Sequence, residues 1–277
     1  MHTWAFDAIG TRWRVDAGAD IDRAAVSALV DDFDRTWSRF REDSQVARLR
    51  SDGRADLGEH APAILDLYDR LYALTEGAVS PAVGASLERL GYDADYTLTA
   101  SGEAIPAFRW PDARREGSTV ETGQPVVLDI GAVGKGYLAD LVADLIGAPV
   151  TVDASGDIVH RGPGPLRVAM EHPADPSRAV GIIELPPGHG VAASATNRRA
   201  WGEDLHHVLD ARTGRPESGI VATWAVASSA ALADGLATAL FFAAPERVVE
   251  EFPGVGCAVI DRSQRIRAAG LPGEIFR

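Results

Sequence analysis

The chain has 277 residues, 46% of them hydrophobic and 24% charged, the balance of a folded globular protein with a sizeable core. Asp and Glu number 40 against 27 Lys and Arg, a net charge of −13. That excludes a basic face for nucleic acid and obliges any anionic ligand to be held by local positive groups or a metal.

In chain order, "WAFDAIGTRWRVD" alternates like a strand broken at Gly10, and the N-terminal "MHTWAFDAIGTRWRVD" lacks the basic and apolar regions of a signal peptide. No window approaches the roughly 18 apolar residues of a transmembrane span, so the chain reads as soluble and cytoplasmic. "DIDRAAVSALVDDFDRTWSRF" places Ala25, Leu29, Val30, Phe33 and Trp37 on one helical face, capped near Asp20 or Asp22. "APAILDLYDRLYALTEG" predicts a second helix with Ile64, Leu67, Leu71 and Leu74 inward and Gly77 at its end. Residues 93–124 are polar and rich in turns, an excursion or a surface ribbon. "VVLDI" reads as a buried strand, followed by a glycine turn and a helix with Leu138, Leu141, Val142, Leu145 and Ile146 on its core side.

"VTVDASGDIVHRG", "LRVAMEHP" and "AVGIIELPPG" predict short strands, and "LHHVLDARTGRP" a strand entering a tight turn at Asp210 and Gly214. "IVATWAVASS" leads into the helix "SSAALADGLATALFF", and "CAVIDRSQRIRAAG" closes with a hairpin. The single cysteine, Cys257, lies in that last apolar run and reads as a buried structural residue. Strands mixed with a few long helices indicate an α+β fold, in one domain spanning 1–277.

The helix "SSAALADGLATALFF" poses a chemical question, because Asp234 and Thr238 share one face a turn apart in an apolar run. Either Asp234 faces solvent and Thr238 bonds back to its own helix, or something positive meets a buried acid. Gly131, Gly134, Lys135 and Gly136 form a strand–turn–helix loop that is neither a Walker A nor a GxGxxG motif. It is a phosphate-binding loop or a tight turn with a surface lysine. Asp129, just before it, projects toward a ligand or caps the loop. Adjacent His206 and His207 point to opposite faces of a strand and make a poor metal pair, although one of them could serve an anionic site. No G-x-S-x-G occurs, so serine hydrolase chemistry has no support.

Taken together, "WSRFREDSQVARLR", "LDIGAVGKGYLAD", "LHHVLDARTGRP" and "ADGLATALF", with "AIGTRW", "LTEGAVSPAVG" and "ASGDIVHRG", resemble the FAD:protein FMN transferase (ApbE, flavin transferase) family over nearly the whole chain. The resemblance implies the family's fold, a T-fold-like arrangement of largely antiparallel sheets with packed helices. It implies Mg²⁺ held by Asp234, Thr238 and the Ala132 carbonyl, hard oxygen ligands suited to that ion. It implies that Ile9, Ala78, Val79, Ser80, Asp129, Lys135, Ser194 and His207 line the FAD site, with Lys135 near the pyrophosphate. The implied reaction moves FMN from FAD to a Thr or Ser hydroxyl of an acceptor protein, of redox type, and releases AMP. His207 is the first candidate for the attacking proton, with Asp210 or Asp157 as alternatives and Lys135 offsetting charge. The chain departs from the family pattern at Ile9, Val79, Ser80, Ser155, Ala195 and Asn197, and lacks the proline after Asp210. A Mg²⁺-dependent FAD pyrophosphatase and a non-enzymatic FAD-binding protein are the other readings.

Overall fold

The computed structural model describes every residue except Ala148, Glu203 and Arg277. The chain forms two compact units built from interleaved segments, Met1–Val30, Val133–Ala195 and Gly219–Arg277 in the first, Asp31–Ala132 and Thr196–Ser218 in the second.

The first unit carries an eight-stranded sheet. Its spatial order is His2–Ala8, Thr11–Ala17, Val150–Asp153, Ile158–His160, His189–Ala195, Ile220–Ala227, Gly256–Asp261 and Ile266–Ala269. Every neighbouring pair is antiparallel. The strand Ile220–Ala227 is rich in β-branched residues and becomes buried on both faces, which is why "IVATWAVA" shows no polar alternation. A three-stranded sheet of Gly273–Ile275, Asp175–Leu185 and Leu166–His172 supplies Met170, Ile183 and Leu185 to a core shared with Val191, Trp224 and Ile260. Cys257, in the strand Gly256–Asp261, is fully buried, and burial pushes its thiol up to about 12, in keeping with a structural role. No helix among the described residues is long and apolar enough to cross a membrane.

The first two strands are joined by Ile9 and Gly10, with φ of 42° and 75°. A two-residue hairpin loop of type I′ requires left-handed backbone at both positions, a conformation that Asn-Gly accepts and a β-branched residue resists. Ser155 is likewise left-handed, at φ 58°, where the family pattern has glycine.

The helix Arg23–Trp37 is capped by Asp22, whose Oδ1 accepts the Ala25 N–H at 3.0 Å, and it buries Val26, Phe33 and Trp37. In the second unit, the helices Gln45–Asp52, Ala61–Leu74 and Gly84–Arg89 accompany a small sheet of Arg54–Asp56, Thr119–Glu121 and Arg114–Glu116. The excursion at 93–124 thus contains a ribbon. Around it Leu87, Leu90, Tyr92, Trp201 and Leu209 form a core cluster.

Three expectations are corrected. The helix Ala61–Leu74 buries Leu65 and Tyr68 along with Ile64, Leu71 and Leu74, while Leu67 is only half-buried. In Gly134–Ile146 the core face is Leu138, Ala139, Val142 and Ala143, and Leu145 is 48% exposed. Ala139 and Ala143 are as fully buried as Leu138 and Val142, so side-chain bulk was not the guide to the buried face. "VVLDI" is extended, with Val126, Leu128 and Ile130 buried, but it joins no ladder. Its backbone bonds the Pro81–Gly84 turn instead: Asp129 N–H donates to the Pro81 carbonyl at 2.7 Å, and Gly84 N–H to the Val127 carbonyl at 3.2 Å.

Candidate active site

In the first unit, Ser229 caps the helix Ala230–Ala239, its Oγ accepting the Leu232 N–H at 3.1 Å. Asp140, from the helix Gly134–Ile146, accepts the N–H groups of Ala230 and Ala231 at 3.1 and 2.9 Å. The two helices also touch at Gly136, where a Cβ would fall 2.2 Å from the Ala230 carbonyl oxygen. On the far side, a Cβ on Gly190 would fall 2.4 Å from the Ala230 nitrogen. These contacts set where Asp234 stands.

Asp234 is 6% exposed, so the solvent-facing reading fails. Its Oδ2 accepts the Gly136 N–H at 3.0 Å. Asp157, fully buried in the turn after Val150–Asp153, is ion-paired through Oδ2 to Lys135 Nζ, and its Oδ1 is sealed without a hydrogen-bond donor. Burial pushes both acids' pKa up, and the Asp157 charge adds to the rise at Asp234. Two carboxylates face one ammonium, so with both ionised a negative charge remains uncompensated in a buried place. A small dication fits that deficit. Thr238 lies a turn further on the same face, half-buried, and among the described residues its hydroxyl makes no bond back to the helix. A carboxylate and a hydroxyl are hard oxygen donors, the set that suits Mg²⁺.

The second unit holds another cluster. Asp129 Oδ1 accepts the Gly131 N–H at 2.7 Å, forming the loop cap considered from sequence. Its Oδ2 takes Arg39 Nε at 2.6 Å, an ion pair across 90 positions. Burial opposes ionisation of Asp129, but the Arg39 charge and hydrogen bond outweigh it and hold the carboxyl below its ordinary range. Arg199 Nη1 donates to the Tyr92 hydroxyl at 2.9 Å, and Tyr92 stacks against Trp201. His207 follows the short strand Leu205–His206 and is half-buried overall, yet its Nδ1 is sealed and unpartnered. Burial, with Arg199 nearby, pushes its pKa down to about 3, so the ring is neutral. His206 is buried, its Nε2 2.8 Å from the Glu217 carbonyl oxygen.

That His207 shift fixes an acid limb of stability. The folded ring stays neutral while the unfolded ring binds a proton below about 6.5, so stability is complete above that pH. Between 6.5 and about 3 it should fall by about 1.4 kcal/mol per pH unit from this group. Urea unfolding at pH 7 and 4.5 is expected to show the parent losing more stability than His207→Gln; equal losses would refute the burial argument.

Asp210 sits in the hairpin Leu209–Asp210/Arg215–Pro216, turned as expected, with Gly214 at φ 71° and its N–H on the Asp210 carbonyl at 2.7 Å. Its carboxylate is gripped by Arg212 through Nε at 2.9 Å and Nη2 at 2.7 Å. Ala78 and Val79 are buried, with the Ala78 carbonyl accepting the Ala211 N–H at 2.9 Å. Ser80 caps a short turn, accepting the Ala82 N–H at 3.2 Å. Ser194 is half-buried in the strand His189–Ala195, and Ala132 N–H reaches the Tyr68 hydroxyl at 3.4 Å.

Residues 9–258 match the sequence model of the ApbE family. The chain belongs to the ApbE family. The FAD:protein FMN transferase of Klebsiella pneumoniae (strain 342) is 30% identical to this ApbE-family chain over 283 residues, covering 91% of this chain and 81% of that one. The Escherichia coli (strain K12) protein of the same name is 28% identical over the same shares. The crystal structure of the ApbE protein from Thermotoga maritima aligns with a TM-score of 0.81 at 23% identity, covering 97% of each chain, which establishes the α+β fold.

Within this ApbE-family chain, sequence reading assigned no role to Arg39, Arg199, Tyr92 or Asp140. Arg39 stands inside "WSRFRED", among charged residues that give no local sign of its burial. Asp140 ends the stretch "GKGYLAD", and its partners lie 90 residues away.

Proposed function

We propose that this chain is a Mg²⁺-dependent FAD:protein FMN transferase that moves FMN from FAD to a Thr or Ser hydroxyl of an acceptor redox protein and releases AMP. The observation that carries the reading is Asp234, buried in an apolar helix against Asp157 and Lys135, in a chain whose relatives bear that activity in their names. Asp234 and Thr238 hold the ion, and the Ala132 carbonyl is the third oxygen that the family resemblance assigns. Bound there, Mg²⁺ would neutralise charge on diphosphate oxygens.

The acceptor hydroxyl attacks the phosphorus on the riboflavin side; an O–P bond forms, the bridging P–O bond breaks, and AMP leaves with the bridging oxygen. Lys135, ion-paired with Asp157, offsets negative charge on the leaving phosphate. His207 is assigned the hydroxyl proton on the family resemblance, its ring being neutral near pH 7. Asp210, committed to the Arg212 fork, is better placed to hold its hairpin than to move a proton. Ile9, Ala78, Val79, Ser80, Asp129 and Ser194 line the flavin and nucleotide in this reading.

Incubation with FAD and Mg²⁺, with and without an acceptor carrying a D-G-[AS]-T-[AST] segment, tests it. AMP together with an acceptor heavier by FMN is the expected result. AMP with free FMN indicates hydrolysis, and unchanged FAD indicates binding alone; either outcome removes the transferase reading.

A further inference from the structure

Stability does not account for the placement of Arg39. Its side chain is 3% exposed, yet only Nε has a hydrogen-bond partner, Asp129. Nη1 and Nη2 are sealed without a hydrogen-bond partner; Nη1 is ion-paired with Glu88 Oε1 at 3.7 Å, beyond hydrogen-bond reach, and that oxygen already accepts from Arg50 at 2.8 Å. The guanidinium is instead pressed against aromatic faces, 4.1 Å from the Phe40 centroid and 5.0 Å from that of Tyr92. Unmet buried donors are costly, and an ion pair so enclosed is often no more stable than an apolar replacement. The arrangement serves Asp129, which remains 15% exposed. Arg39 and the Gly131 N–H occupy one direction on each of its oxygens, leaving about two lone-pair directions open.

We propose that Arg39 is a positioning residue that holds Asp129 as an oriented carboxylate, whose open lone pairs accept an N–H or O–H donor of the nucleotide. The inference rests on FAD being the ligand, as proposed above. A fixed carboxylate repels phosphate oxygens, so Asp129 reads a neutral donor edge, a heterocyclic N–H or a ribose hydroxyl, and leaves the diphosphate to other groups. The further charged or titratable groups facing it are Arg199, which favours its ionised form, and Tyr92 and His207, both neutral near pH 7. Without Arg39, burial is the largest influence left and drives the carboxyl toward protonation.

Calorimetric titration of the metal-free protein with FAD from pH 5 to 8 tests this without turnover. The parent is expected to bind with an affinity nearly flat in pH. Arg39→Gln should bind about 30-fold more weakly at pH 7 and progressively worse toward pH 5. In an Asp129→Asn background the same change should add less than about threefold, because Arg39 acts through that carboxylate. Separate titrations with AMP and FMN identify the half that supplies the donor, since only that half should lose affinity. Arg39→Lys keeps the charge without the planar fork and should retain a flat profile at reduced affinity, which also covers a Gln variant that fails to fold. Parent-like binding by Arg39→Gln, losses additive with Asp129→Asn, or a sloping Lys profile overturns the inference while leaving the FAD reading intact. A parent that binds FAD neither metal-free nor with MgCl₂ overturns both.

Discussion

Asp234→Asn is expected to lower Mg²⁺-dependent FAD cleavage by about 10³-fold or more while leaving the ligand-free protein folded. The two halves of this expectation have separate causes. Asn keeps the shape of Asp and an oxygen for the Gly136 N–H, so the contact at 3.0 Å that ties the two helices survives. What disappears is the anionic ligand, in a place where the apolar helix offers only the Thr238 hydroxyl beside it. Thermal unfolding with and without MgCl₂ separates the effects. The parent should gain stability as the ion binds, and the variant should not, because only a species that prefers the folded state shifts the transition. Quantifying AMP by chromatography gives the rate. A variant that gains the same Mg²⁺ shift and cleaves FAD at the parental rate would remove the metal assignment and, with it, the mechanism.

Gly136→Ala is expected to cost about 3 kcal/mol or more of unfolding free energy and to depress activity with it. The added methyl would stand 2.2 Å from the Ala230 carbonyl oxygen, 2.6 Å from its carbon and 2.9 Å from the Ala231 nitrogen. All three are backbone atoms, so no rotamer change relieves the clash; the two helices must separate. Separation lengthens the Asp140 caps on Ala230 and Ala231 and draws the Gly136 N–H off Asp234. The better helix propensity of Ala, worth about 1 kcal/mol, is too small to compensate. Gly164→Ala is the control, since nothing lies within 4 Å of where its added methyl would stand and its backbone is not left-handed. Urea midpoints should fall steeply for the first and hardly move for the second; similar midpoints would show that the helix contact is slack.

Periodicity and punctuation were enough to find the long helices and most strands, because an amphipathic helix or a half-buried strand writes its burial pattern locally. They failed where the neighbour, and not the pattern, chose the buried face. Ala139 and Ala143 lie inward and Leu145 outward, a division that the spacing of the large apolar residues does not give. "VVLDI" has the composition of a strand, but its partner is a turn, so its hydrogen bonds never form a ladder.

The chemical elements of the candidate site divide in the same way. From sequence alone came the family, the Asp234–Thr238 spacing on one helix face, the glycine loop with Lys135 and the hairpin at Asp210, each contained in a few contiguous residues. Only the tertiary structure decided that Asp234 is buried opposite Asp157 and Lys135, that Arg39 grips Asp129, and that Asp140 anchors the helix bearing Asp234. Those pairs are separated by up to about a hundred residues, and the charge state of a buried group depends on what the fold brings against it, which local sequence does not encode.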